Sequence, residues 1–137
     1  MADTLKLEIV TPDGTVYSEA VDMVTLPGVE GQMGVYPRHV PLMSQMIPGE
    51  IIVRKDGQDY FLAVGEGLIE VTGDSVSLLT DMAIASEHID EAKVEEARQR
   101  AEARLQEKLS DEEVASTNAS LARSLAQLHV KRRHHQK

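Results

Sequence analysis

Residues 5–10, Leu-Lys-Leu-Glu-Ile-Val, alternate apolar and polar side chains. That period of two is the mark of a half-buried strand. Pro12-Asp13-Gly14 follows with turn chemistry. Residues 16–26 predict two more short extended pieces. Glu50 to Lys55 and Tyr60 to Val64 flank Asp56-Gly57, a strong two-residue hairpin signal. Leu68 to Thr72 and Val76 to Thr80 flank Gly73-Asp74 in the same way. Many short strands with closely spaced turns predict a sandwich or barrel. One phenylalanine, three tyrosines and no tryptophan leave a core that must be mostly aliphatic.

Residues 28–43 break this rhythm. Gly28, Gly31 and Gly34 recur at a spacing of three, and Pro37 and Pro41 flank Arg38-His39-Val40. Glycine permits close backbone approach or positive φ, and proline removes a ladder donor. Neither a helix nor a long strand is expected here. The stretch still carries Met33, Val35, Tyr36, Val40, Leu42 and Met43, more apolar surface than a solvated loop needs. It reads either as a crossover between strands or as a docking surface.

After Ala85 the period changes, and residues 86–137 hold neither glycine nor proline. Asp90 reads as a helix N-cap, with Ile89 and Val94 as a hydrophobic staple. This helix is expected to run to about Leu109, presenting Val94, Ala97, Ala101, Leu105 and Leu109. Ser110-Asp111-Glu112-Glu113 reads as a capping box for a second helix running to about Val130. Its expected stripe is Val114, Leu121, Leu125 and Leu128. Two helices joined by almost no loop must form a hairpin or a bent rod. The predicted fold class is therefore α+β. A β-sandwich of short strands (residues 1–85) precedes an antiparallel two-helix hairpin (residues 86–137).

Alanine dominates both stripes, and each buried CH₂ contributes only about 0.8 kcal/mol. Docking of the hairpin is expected to be worth a few kcal/mol net. A partner or ligand can overturn an equilibrium of that size, so the hairpin is expected to open.

The chain has 137 residues, enough for one core with an appendage. It has no cysteine, which excludes a disulfide framework and thiolate chemistry. No signal-peptide pattern opens it, and no apolar run approaches the roughly 20 residues of a membrane helix. Direct membrane insertion is not expected. The net charge of -9 is uneven: residues 114–137 carry five basic residues and no acidic one. The acidic remainder argues against nucleic acid as a partner.

No histidine spacing suits a metal site, and no nucleophile elbow is present. Gly65-Glu66-Gly67 is followed by a strand-like run, whereas a dinucleotide fingerprint opens a helix. Glu95-Glu96 and Glu112-Glu113 are adjacent helical positions that do not face each other. No catalytic constellation emerges. Lys131-Arg132-Arg133, with Lys137, reads either as a solvated helix end favourable to the helix dipole or as a dock for an acidic surface.

Four stretches carry a family resemblance. They are Gly31-Gln32-Met33-Gly34-Val35-Tyr36-Pro37-Arg38-His39-Val40-Pro41-Leu42, Leu62 to Val71, Ile89-Asp90-Glu91-Ala92, and Leu121 to Leu128. Together they resemble the epsilon subunit of F-type ATP synthases, in order and over nearly the whole chain. The resemblance implies a non-catalytic subunit on the cytoplasmic side of a bacterial inner membrane. Its partners would be the gamma stalk subunit, the membrane c-ring and the alpha/beta catalytic head.

Gln32 and His39 fall at family contact positions for stalk and ring, and Tyr36 and Met43 join them on exposure. The helices would act as a conformational inhibitor of ATP hydrolysis, through Arg123, Lys131, Arg132 and Arg133. Some members bind ATP on the hairpin, and Asp90, Lys93, Arg100 and Arg123 fall at matching positions. Here Lys93 replaces the motif's arginine and Val94 its alanine, so ATP binding is expected to be weak or absent. No other cofactor and no metal is implied. The alternatives are an ATP-sensing switch and a free-standing sandwich adaptor or small hydrolase.

Overall fold

The computed structural model describes residues 4–134; His135 and Lys137 of the basic tail lie outside the described residues. Ten strands come first: β1 Leu5–Thr11, β2 Gly14–Val21, β3 Met23–Gly28, β4 Gly31–Val35, β5 Leu42–Met46, β6 Gly49–Lys55, β7 Gln58–Val64, β8 Gly67–Thr72, β9 Ser75–Thr80 and β10 Ala83–Ala85. A 3-10 turn, Ser86–His88, leads to helices α1, Glu91–Arg104, and α2, Asp111–His134.

The strands form one hydrogen-bonded ribbon in the order β10-β7-β6-β3-β5-β8-β9-β1-β2, with β4 paired to β3. Only the β1–β9 pairing is parallel. The ribbon curls until β2 packs against β6. Lys55 on β6 is ion-paired with Glu19 on β2 across this closure. The result is a flattened, barrel-like sandwich.

The predicted alternation fills it. Leu5, Leu7 and Ile9 of β1 point inward, with Ile69, Val71, Val76 and Leu78 from β8 and β9. The inner core is aliphatic, as the shortage of aromatic residues requires. Asp56 (φ 53) and Gly57 (φ 79) both take the left-handed conformation between β6 and β7. That is the turn an Asp-Gly pair favours.

The glycine-rich stretch is not a single loop. Gly31 (φ +126) turns β3 back into β4, and a second strand begins at Leu42. Besides the two-residue turn 29–30, residues 36–41 are irregular. Arg38 (φ 65) donates its N–H to Gly73 O at 2.7 Å, tying this segment to the β8–β9 turn.

A second, smaller cluster lies on the outer face of β7. Ala63 packs there with Ile89 and Val130, while Phe61, Met82, Ile84 and Val94 lean in. The period of two explains it: Leu62 and Val64 serve the inner core, Phe61 and Ala63 the helices. This cluster is what docks α2 onto the sheet.

Both caps form as predicted. Asp90 accepts a hydrogen bond from Lys93 N–H at 3.2 Å. Ser110 Oγ accepts from Glu113 N–H, and Glu113 Oε1 accepts from Ser110 N–H, at 3.2 and 3.1 Å. Three expectations fail. The second helix continues to His134 rather than stopping near Val130. The first helix ends at Arg104 rather than near Leu109, because the chain must turn back before the Ser110 cap. The buried residues of α2 are Thr117, Ser124, Ala126, Leu128 and Val130, whereas Val114 and Leu125 are exposed. Small side chains face α1 and the sheet and allow close approach.

Candidate functional site

The last turn of α2 gathers Lys131, Arg132, Arg133 and His134. None of these groups projects freely from the described chain. Lys131 Nζ donates to Ser86 O at 3.2 Å. Arg132 reaches across to α1, pairing with Glu91 at 2.8 Å and Glu95 at 3.3 Å. Arg133 Nη1 donates to Glu50 Oε1 at 2.7 Å. His134 Nε2 lies 2.5 Å from the other Glu50 oxygen. The imidazole also stacks on Phe61, with ring centroids 3.5 Å apart and planes inclined by 14°.

Glu50 owes its position to the sheet. It is the second residue of β6, opposite Ala63 on the helix-facing side, and its side chain is only 6% exposed. Burying a carboxylate is costly unless it is paired. Arg133 and His134 supply that pairing, so the contact depends on α2 being docked.

Arg123, earlier in α2, makes a second tether. Its Nη1 donates to Asp81 Oδ2 and its Nη2 to Ser120 Oγ, both at 3.0 Å. The Gly65-Glu66-Gly67 motif makes room for this arrangement. A Cβ on Gly65 would overlap the Asp81 carboxylate, and one on Gly67 would overlap the Leu79 carbonyl. These glycines serve close packing.

Two carboxylates of the hairpin are held below their ordinary range. Glu95 is lowered to about 2, chiefly by its hydrogen bond from Arg98, with the Arg98 and Arg132 charges adding to this. Glu113 is lowered by the Ser110 cap, with Arg104 contributing. A group whose folded pKa is depressed stabilises above its unfolded value and loses that stabilisation as pH falls through the folded one. Acidification through the interval from about 4.5 to about 2 is therefore expected to loosen the hairpin before the β-domain. Helical circular dichroism should fall while tertiary signals from the β-domain persist; simultaneous loss would contradict the assignment.

The four stalk and ring candidates come from β4, the irregular segment and β5. Tyr36 and Met43 are 60% and 68% exposed, at or near the irregular segment. His39 Nδ1 lies 2.7 Å from Val40 O, so the ring meets the backbone of its own loop. Gln32 sits four residues back from Tyr36, about 13 Å along an extended chain. It lines a cavity of about 520 Å³ under α2, with Pro27, Ile47, Pro48, Leu125 and His129.

The nucleotide candidates are also divided. Arg100 lines a cavity of about 610 Å³ between the helices with Thr117 and Ser120, and Arg123 reaches the same Ser120. Asp90 and Lys93 do not line that cavity. No cluster of metal-ligating side chains occurs among the described residues. Sequence reasoning missed Glu50, Asp81, Phe61 and His134. Only their distance along the chain concealed them; Glu50 stands as one acid just before the apolar run Ile51-Ile52-Val53.

A barrel-like sandwich with a helical hairpin clamped on its outer face defines a two-part protein. Comparison with known proteins agrees. The family described as "ATP synthase, Delta/Epsilon chain, beta-sandwich domain" matches residues 4–86. That described as "ATP synthase, Delta/Epsilon chain, long alpha-helix domain" matches residues 87–132. An ATP synthase epsilon chain of Dehalococcoides mccartyi is 43% identical over 134 residues, 96% of each chain. One from Bacillus licheniformis is 37% identical over 129 residues, 94% of this chain and 98% of that one.

Among solved structures, a chain of the Euglena gracilis mitochondrial ATP synthase superposes with TM-score 0.74 at 23% identity. The match covers 92% of this chain and 79% of that one. A chain of the Tetrahymena thermophila central stalk and c-ring gives 0.62 at 10% identity, covering 93% and 96%. These two support the fold. The chain belongs to the ATP synthase delta/epsilon family and, within it, to the epsilon chains.

Proposed function

We propose that this chain couples rotation to ATP synthesis as a non-catalytic part of the rotor, and that its hairpin brakes ATP hydrolysis. The β-domain binds the gamma stalk subunit and the c-ring on the cytoplasmic side of a bacterial inner membrane. Gln32, Tyr36, His39 and Met43 are the contact candidates. The irregular segment 36–41 is held stiffly by the Arg38–Gly73 bond, and a pre-organised surface loses less on binding. No helix among the described residues is long and apolar enough to cross a membrane.

The observation that carries the brake is the occupancy of the basic residues. Arg123, Lys131, Arg132 and Arg133 are all held by groups of the same chain. Lifting α2 off the sheet and away from α1 releases these cations together. They then meet an acidic surface of the alpha/beta head, where charge complementarity guides docking.

The test replaces Lys131, Arg132 and Arg133 together by glutamine in reconstituted ATP synthase. ATP hydrolysis is expected to rise, because the brake has lost its charge. Unchanged inhibition would reject the role.

A further inference from the structure

We propose that Glu50 is an internal decoy: it occupies the cationic turn of α2 and so competes with the acidic surface the brake engages. This deepens the brake reading and rests on it. Glu50 presents both carboxylate oxygens to α2, one to Arg133 and one to His134. Two partners on two oxygens fix position and orientation together. Phe61 holds the imidazole from its ring face, and the paired strand places Ala63 beside it under Val130. This is a shaped receptor for the last turn of the helix.

The competition follows from exclusivity. While Arg133 gives its Nη1–H to Glu50 and His134 Nε2 meets the other oxygen, the last turn of α2 stays against β6 and β7 and cannot reach a partner's acidic surface. While Glu50 holds it, the tail is disarmed; once the helix lifts, Glu50 is left without its cation. The neighbouring cavity bordered by Gly49, Glu50, His129 and Arg133 gives solvent a route to the carboxylate as the clasp parts. Glu50 is the buried member of this pair, with its side chain 6% exposed against 52% for Arg133, so removing the cation leaves an uncompensated buried carboxylate. The two sides of the clasp therefore differ in consequence. Removing Glu50 frees an intact set of cations. Removing Arg133 and His134 also opens the hairpin, but takes away Arg133, one of the four cations that brake.

The test uses Glu50→Gln and the double variant Arg133→Ala/His134→Ala in the full-length chain. Glutamine keeps the volume of glutamate in β6, and the double variant lies at the helix end, away from the inner core. In the isolated chain, amide exchange over the last turns of α2 is expected to accelerate on the order of tenfold or more in both. The double variant should show the larger effect, since it strands a carboxylate.

In reconstituted ATP synthase the two should then diverge: stronger inhibition with Glu50→Gln, weaker with the double variant. Unchanged exchange with Glu50→Gln overturns the decoy. So does a shift of ATPase activity in the same direction for both variants. Accelerated exchange in both, with ATPase insensitive to either and to loss of the whole hairpin, retains the clasp as a docking contact. That result overturns the competition and, separately, the brake reading.

Discussion

A chain ending at Ala85 is expected to stay folded, to bind the stalk, and to lose all inhibition of ATP hydrolysis. The division of the packing leads to this. The inner core draws on strands alone, from Leu5 on β1 to Leu78 on β9. The segment after Ala85 contributes to a separate cluster through Ile89, just before α1, and Val130 of α2. Deleting that segment uncovers Phe61, Ala63 and Ile84 on the outer face of the sheet but removes nothing from inside it. Each inward Leu or Ile is worth roughly 1.5–3 kcal/mol when buried, and the sixteen buried residues of that core stay in place. Thermal unfolding of the truncated chain should therefore remain cooperative. ATPase activity of enzyme reconstituted with it should equal that of enzyme with no inhibitory helices. An unfolded fragment, or full inhibition by a folded one, would break the assignment of roles.

Val130→Asn should act in the opposite direction on the same enzyme. Val130 is completely buried between α2 and β7. The change removes about 1.5–3 kcal/mol of apolar burial and places an unpartnered amide there, for about 1–3 kcal/mol more. The sum exceeds what an alanine-rich hairpin is expected to gain by docking. The helix should lift rather than bury the amide. All four tail cations survive, so inhibition of hydrolysis should become stronger than in the native chain. Exchange protection of α2 should collapse while that of β1, β8 and β9 stays unchanged. Native protection in α2 would show that docking is much stronger than the packing implies.

Local chemistry was the part of this molecule most open to reading from sequence. The alternation in residues 5–10, the Asp56-Gly57 turn and the caps at Asp90 and Ser110 each depend on neighbours a few positions away. Each therefore appears where the pattern places it. The glycine stretch was harder, because Gly31 to Val35 becomes a strand only through pairing with β3. Leu125 misled for a related reason: a leucine at helical spacing reads as core, yet it is 47% exposed beside Ile47. Ser124 and Ala126 take the buried positions because the helix is crowded on two sides. The candidate site was half legible. Its cations form a conspicuous run, but Glu50 lies more than 80 residues away from Arg133 and His134. No local pattern announces which acid will meet them.

The absence of cysteine makes the decisive measurement clean. Spin labels on cysteines introduced at Ile47 and Leu125 would sit across the cavity beneath α2, both positions being partly exposed. In the isolated chain one short distance is expected. In ATP synthase held in its inhibited state, a second and much longer distance should appear as α2 leaves the sheet. The same short distance in both preparations, with inhibition intact, would contradict a brake that works by release of the hairpin.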